Sequence, residues 1–348
     1  VAVFVCAGCE AVLTAPVSRV ELPDAARQKY GHDLLPVLME PGTYAVDPHP
    51  VGPPWLRWEE IGEEGALARG WYAECYSVPD GPRGAVVIAP GDVRGTVLVP
   101  EWDDGFCCGL VGMNGPNTAC ERCGRAVATW VDDCGHWQAV WLEPQAVRRV
   151  DAGPERPVAS WEELLEEPPG IPPIEASGRW NPRWEVSAAV SLAHLLAASG
   201  GARMTLPENR LLAVTFGRAL EMLLPPGPPT KTLALAGPGP PDAHADIVMV
   251  PRHPQTGEVW TCDAEAVVPL AAEVWFPLAF RRERRPVPGA GALGVDFEEE
   301  PPLLPHGPFR PHGPAFLGAL ARLPAVREPW LRAIYDRYYP RNPFSPPF

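Results

Sequence analysis

Positive charge is scarce in this chain. Lys29 and Lys231 are its only lysines, 29 basic residues face 43 acidic ones, and the formal net charge is −14. So acidic a chain is repelled by phosphate backbones and anionic lipid, which excludes a sequence-independent grip on either. Nucleic acid is therefore not an expected partner. Long apolar runs are also missing. The longest, at 188–198 and 211–224, are broken by His194 and by Arg218 and Glu221, and both fall short of the roughly 20 residues that span a bilayer. No transmembrane helix and no membrane partner are expected. The patterns G-x4-G-K-[ST], H-E-x-x-H and G-x-S-x-G do not occur, so P-loop, zincin-type and common serine-hydrolase mechanisms lack their usual signatures.

The start of the chain lacks a basic leader and an apolar region of 7 to 15 residues. Residues 1–5 followed by Cys6-Ala7-Gly8-Cys9 resemble only superficially a short signal peptide ending in a lipoprotein Ala-Gly-Cys. Nine cysteines, an odd count in a long chain, do not suit a disulfide framework. The expected location is cytoplasmic.

What the chain does have is apolar surface and loop formers. A hydrophobic content of 46% with 13 Trp is enough for a sizeable core. Forty-seven Pro and 33 Gly predict many short elements joined by stiff loops. Alternating or β-branched runs at 1–5, 85–89, 96–99, 126–131 and 138–142 predict short strands. Near residue 151 the pattern changes. Ser160-Trp161-Glu162-Glu163 and Thr205-Leu206-Pro207-Glu208 match the S/T-x-x-E capping box, which predicts a helix start at each. Further helices are expected at 184–199, 315–323 and 328–339, a short strand at 232–236, and a hairpin from 246–250 and 259–262. Residues 289–314 read as an extended, polyproline-like arm.

The chemistry concentrates in the cysteines. Cys6 and Cys9 end a strand-like run, and Cys120 and Cys123, followed by Gly124, precede another. A two-residue gap lets a tight turn present two sulfurs to one ion, and two such turns complete a tetrahedral Zn(II) site. Each segment resembles a zinc-ribbon knuckle. That resemblance implies a structural zinc held by Cys6, Cys9, Cys120 and Cys123, and it implies no activity. The strong preference for arginine over lysine likewise resembles proteins of high-GC actinobacteria.

Ordinary C-x2-C pairs lie roughly 15 to 20 residues apart, whereas here 110 residues, 10–119, intervene. A local site from Cys108, Cys120, Cys123 and Cys134 or His136 therefore competes with the four-cysteine site, and leftover ligands leave room for a second metal. Neighbouring side chains in a strand point to opposite faces, so at most one of Cys107 and Cys108 is expected in any one site. A thioredoxin-like role lacks a βαβ context, and nothing points specifically to an iron–sulfur cluster. Cys75 and Cys262 read as packing residues.

Other candidates carry ordinary readings beside the functional ones. Asp242, His244 and Asp246 alternate as a carboxylate–imidazole site would in a strand, and equally suit a polar loop. Glu101, Asp103, Asp104, Asp132 and Asp133 could surround a metal, and equally serve as turn formers. Arg281, Arg282, Arg284 and Arg285 form the one dense basic cluster, and it could answer the acidic run Asp296, Glu298, Glu299 and Glu300 of the same chain. His306 and His312 read as exposed loop histidines. Trp330, Tyr335, Tyr338 and Tyr339 could dock a C-terminal helix on the body or on a partner.

The resulting expectation is a mixed α/β (α+β) protein, with a β-rich, zinc-ribbon-like region carrying a large insertion at 1–150 and a Pro-rich α+β region at 151–348. Its expected cofactor is Zn and its expected role is binding or assisting a protein partner. The rival is a metal or thiol enzyme with an open site near Cys107, Cys108, Cys134 and His136, using Asp132 or Asp133 as base.

Overall fold

The computed structural model describes residues 1–28, 31–102, 107–239, 244–280 and 305–339. Asp103, Asp104, Asp242, the arginine cluster at 281–285, the acidic run at 296–300 and the 289–304 part of the arm lie outside the described residues. The chain is mixed α/β and divides into two compact units. The first draws on Val1–Ala159, Pro254–Gly257 and Leu320–Arg341, the second on Ser160–His253 and Glu258–Ala319.

The first unit contains β1 (Ala2–Cys6), β2 (Ser18–Arg19), β3 (Thr43–Asp47), β4 (Trp55–Arg57), β5 (Ser77–Pro79), β6 (Ala85–Ile88), β7 (Thr96–Leu98), β8 (Thr118–Cys120), β9 (Ala126–Val131), β10 (Ala139–Leu142) and β11 (Val147–Asp151). Seven form one sheet in the order β2-β3-β6-β10-β9-β8-β7, while β1 pairs with β11 and β4 with β5. Period-two alternation sorts the side chains of the large sheet onto two buried faces. Tyr44, Val86, Ile88, Val140 and Leu142 join Phe4, Leu13 and Val127 in one core. Ala45, Ala85, Val87, Ala139 and Trp141 join Leu35, Leu38, Met39 and Trp137 in the other. Burying each larger side chain contributes about 1.5–3 kcal/mol.

The helix Pro329–Tyr338 belongs to this unit. Its aromatic face is used internally: Tyr335 is buried and its hydroxyl donates to the Glu74 carbonyl at 2.6 Å. The Tyr76 amide donates to the Tyr339 hydroxyl, and the Tyr335 and Tyr339 rings stack with centroids 5.0 Å apart.

The second unit holds a four-stranded, all-parallel sheet of β12 (Met204–Thr205), β13 (Lys231–Leu235), β14 (Ile247–Arg252) and β15 (Ala266–Ala271), in that order. Its β14 is buried along almost its whole length, as an internal parallel strand must be. The expected hairpin over 246–262 is thereby corrected. Its first arm pairs parallel with β13 and β15, and only the Arg252–Val259 bridge remains of the antiparallel pairing. The helix Pro182–Ser199 packs on this sheet, started by the Asn181 side chain accepting from the Arg183 amide and ended by Gly200.

The two capping boxes fared differently. Ser160 and Glu163 exchange both bonds, 3.2 and 2.7 Å. Thr205 instead lies in β12, and the next helix starts at Arg210 with Asn209 accepting from the Leu212 amide at 3.0 Å. A parallel pairing with β13 satisfies the Thr205 backbone, and Pro207 disfavours a helical conformation at the preceding Leu206. His312, expected as an exposed loop histidine, is half-buried and accepts from the Ala315 amide at the start of the helix Gly313–Ala321. His306 is exposed.

Glu185 lies in the first turn of the Pro182–Ser199 helix, and burial pushes its carboxyl from 4.5 up to about 8. In the unfolded chain this group ionises at its ordinary value. The folded state therefore carries no penalty below about pH 4.5, a growing one up to about pH 8, and a constant one above that. Glu185→Gln is expected to raise the melting temperature at pH 8 and to leave it nearly unchanged at pH 4.5, as read by thermal unfolding across that range.

Candidate metal centre

Both C-x2-C segments fold into the same turn. Cys6 N–H donates to the Ala11 carbonyl at 2.8 Å, and Glu10 N–H returns to the Cys6 carbonyl at 2.9 Å. In the second segment Cys120 N–H donates to Arg125 O and Gly124 N–H to Cys120 O, each at 2.8 Å. The residue after each second cysteine takes a left-handed conformation, φ 60° at Glu10 and 73° at Gly124. Gly124 does so without a side-chain penalty, whereas Glu10 carries the strain of a non-glycine residue in that region.

The 110 intervening residues do not keep the turns apart, because the chain doubles back beside β1. Leu13 N–H donates to Phe4 O at 2.8 Å, Arg94 N–H to Leu13 O at 2.8 Å, and Glu121 N–H to Gly95 O at 3.0 Å. These bonds run from the first turn to the β7–β8 hairpin, where Thr96 sits opposite Cys120. Cys6 and Cys120 are buried in one apolar core, Cys9 packs against it half-buried, and Cys123 is exposed.

All four sulfurs lie within 4.8 Å of one another, with Cys6–Cys123 and Cys9–Cys120 separations of 3.6 Å. All four cysteines are free thiols. A regular tetrahedron around zinc with Zn–S bonds of about 2.3 Å has an S–S edge of about 3.8 Å. The group could hold a metal ion. Burial opposes the Cys6 thiolate, but donation from the Gly8 and Cys9 amides and neighbouring thiols brings its pKa down to about 7. The Ala11 amide favours the Cys9 thiolate, yet burial and the thiols of Cys123, Cys120 and Cys6 hold its pKa up at about 12. The Cys6 thiolate is thus accessible near neutrality, whereas that of Cys9 requires a cation.

The other cysteines do not join this group, which corrects the local arrangement of Cys108, Cys120, Cys123 and Cys134. Cys107, Cys108 and Cys134 instead meet His32, again with all ligand atoms within 4.8 Å. The expectation that only one of Cys107 and Cys108 could take part is also corrected. The pair lies in a bend between β7 and β8, so strand alternation does not separate the two sulfurs. Burial, the Cys108 and Cys107 thiols and the Asp133 charge push the Cys134 thiol up to about 12. His136 stays outside the group, its Nδ1 3.3 Å from the Cys134 carbonyl.

Asp132 and Asp133 bind the backbone rather than facing an open position. Asp133 accepts from the amides of Cys108 and Gly109, and Asp132 from that of Leu110. His32 was missed in the sequence because an isolated histidine 75 residues from Cys107 carries no spacing signal. Of the remaining candidates, Glu101 is exposed and belongs to neither group. Asp246 accepts from the Thr232 amide and hydroxyl, tying β13 to the start of β14. Cys75 is buried, and Cys262 packs against a small core around Val248 and Val250. Residues 289–294, Gly-Ala-Gly-Ala-Leu-Gly, have the G-x-G-x-x-G spacing of dinucleotide-binding loops, and they lie outside the described residues.

Among the described residues no helix is long and apolar enough to cross a membrane. No protein-family model matches the chain, and no curated protein or solved structure gives a match either.

The two turns differ in a way that mutagenesis can read. A Cβ at Gly124 would meet no neighbouring atom, so Gly124→Ala costs only its backbone strain, about 1 kcal/mol. Glu10→Gly relieves the same strain and gives up an exposed ion pair with Arg148 that is worth little. The urea midpoint is expected to fall with Gly124→Ala and to rise with Glu10→Gly, with unchanged m-values.

Proposed function

We propose that Cys6, Cys9, Cys120 and Cys123 hold one structural zinc ion, and that the protein acts by binding, as an accessory or adaptor for a protein partner. The observation that carries this reading is the convergence of four free sulfurs at 3.6 Å pair separations on two turns of identical backbone hydrogen bonding. Four thiolates suit zinc in softness and geometry. The resemblance to zinc-ribbon knuckles supports the same choice. A site closed by four protein ligands leaves the ion no position for substrate or water, and its free energy of binding becomes folding free energy. What it would fasten is the β1–β11 ribbon to the β7–β8 edge of the large sheet.

The rival reading, an open metal or thiol enzyme near Cys107, Cys108, Cys134 and His136, has less behind it. His136 does not join those cysteines, and both proposed bases are engaged with loop amides.

Protein purified without added metal is expected to contain zinc, with one equivalent lost in Cys123→Ser. Losing a structural metal ranks with the costliest single changes, above about 4 kcal/mol, which corresponds to a fall of about 10 °C in the melting temperature of a unit this size. Cobalt substitution separates the readings. A closed shell predicts a visible spectrum unmoved by added cyanide or azide, and a shift on adding either anion would favour the enzyme.

A further inference from the structure

The four-cysteine site accounts for four of the nine cysteines. We propose that His32, Cys107, Cys108 and Cys134 form a second, independent zinc site on the same unit. It does not rest on the four-cysteine reading, since the two groups share no ligand. His32 Nδ1 lies 3.2 Å from the Cys134 sulfur and 3.4 Å from that of Cys107. A tetrahedral zinc with one imidazole and three thiolates has an N–S edge of about 3.6 Å. All three sulfurs are free thiols, so no disulfide competes for them.

The surroundings are built for it. Cys107 and Cys108 sit on a loop whose backbone is clamped by the buried carboxylate of Asp133, which accepts from Cys108 and Gly109 at 2.7 and 2.8 Å. Asp132 adds the Leu110 amide at 2.7 Å. The approach is so close that a Cβ on Gly109 would lie 2.5 Å from the Asp132 carboxylate. Cys134 lies in the β9–β10 connection, and the Gly135 amide donates to the Asp33 carbonyl at 2.6 Å, which brings the His32 segment alongside. His32 itself is held at φ 36°. Three segments far apart in sequence thus each deliver their donors to one point, and carboxylates that orient ligand-bearing backbone are what a metal site uses around its ligands.

The site is the more accessible of the two. His32, Cys107 and Cys108 are exposed and Cys134 half-buried, whereas Cys6 and Cys120 are buried. The second ion is therefore expected to leave first when a chelator is added.

Zinc content of the full chain, measured by elemental analysis and native mass spectrometry, tests the proposal. Two ions per chain are expected in the wild type, with one lost in His32→Ala or Cys107→Ser. A wild-type content of one that survives both substitutions overturns the second site and leaves the four-cysteine reading intact. A content of one that survives Cys123→Ser but not His32→Ala supports the second site and overturns the first. Two ions retained in both His32→Ala and Cys107→Ser also overturn the assignment. Alkylation of the wild type needs no variant to fold. Although exposed, Cys107 and Cys108 are expected to resist iodoacetamide until a chelator is added, and rapid labelling in the zinc-loaded protein would overturn the proposal.

Discussion

Four sulfur atoms held within 4.8 Å of one another set the terms for the first unit. As neutral thiols they are weak donors and acceptors with little to hold them together; as thiolates they repel. A cation of matching softness would resolve the conflict and add to the backbone hydrogen bonds that already bring the two turns together. The backbone already favours that outcome. The same pair of turn hydrogen bonds recurs in both segments, and the amides of Gly8 and Cys9 stabilise negative charge on Cys6.

The contact matters because of what it closes. Pro and Gly are abundant, so strands of only two to six residues carry much of the first unit. A long connection between its first strand and the β7–β8 edge costs conformational entropy that grows slowly with length. Fastening its two ends to one ion, as proposed above, would offset that cost at one point. The sheet faces share the task. Cys6 and Cys120 lie in the core on one face, while the segment bearing His32 leads directly into Leu35, Leu38 and Met39 of the other. Each ligand group is thus tied to apolar burial that holds its backbone in place.

The second unit is stabilised differently. An all-parallel sheet with an inner strand apolar up to its last residue relies on helices for cover, and Pro182–Ser199 supplies one of them through eleven buried residues. Its polar groups serve the frame: Ser191 donates to the Pro269 carbonyl of β15, and Lys231 reaches the Ala198 carbonyl near the end of the helix. Glu185 departs from this economy, half-buried and without a side-chain hydrogen bond among the described residues, and so remains largely protonated at neutral pH.

Local signals told the truth where local forces decide. The alternating runs at 85–89, 126–131 and 138–142 became strands, Ser160 and Glu163 formed their capping box, and the turns at Cys6 and Cys120 follow from two-residue gaps between cysteines. Nearest-neighbour sterics and hydrogen bonds determine all of these. Partner choice was invisible. Parallel pairing turned the expected 246–262 hairpin into an inner strand, a short ladder took Thr205 from its helix, and β3, β11 and β15 received no local signal strong enough to announce them. The grouping of cysteines belongs to the same class, since which sulfurs meet depends on how 110 intervening residues return. By itself the sequence determined that this acidic chain has a metal-ready set of thiols. Only the tertiary structure decided that Cys108 and Cys134 leave Cys120 and Cys123 to meet His32, because hydrogen bonds between remote loops, not spacing along the chain, bring those atoms together.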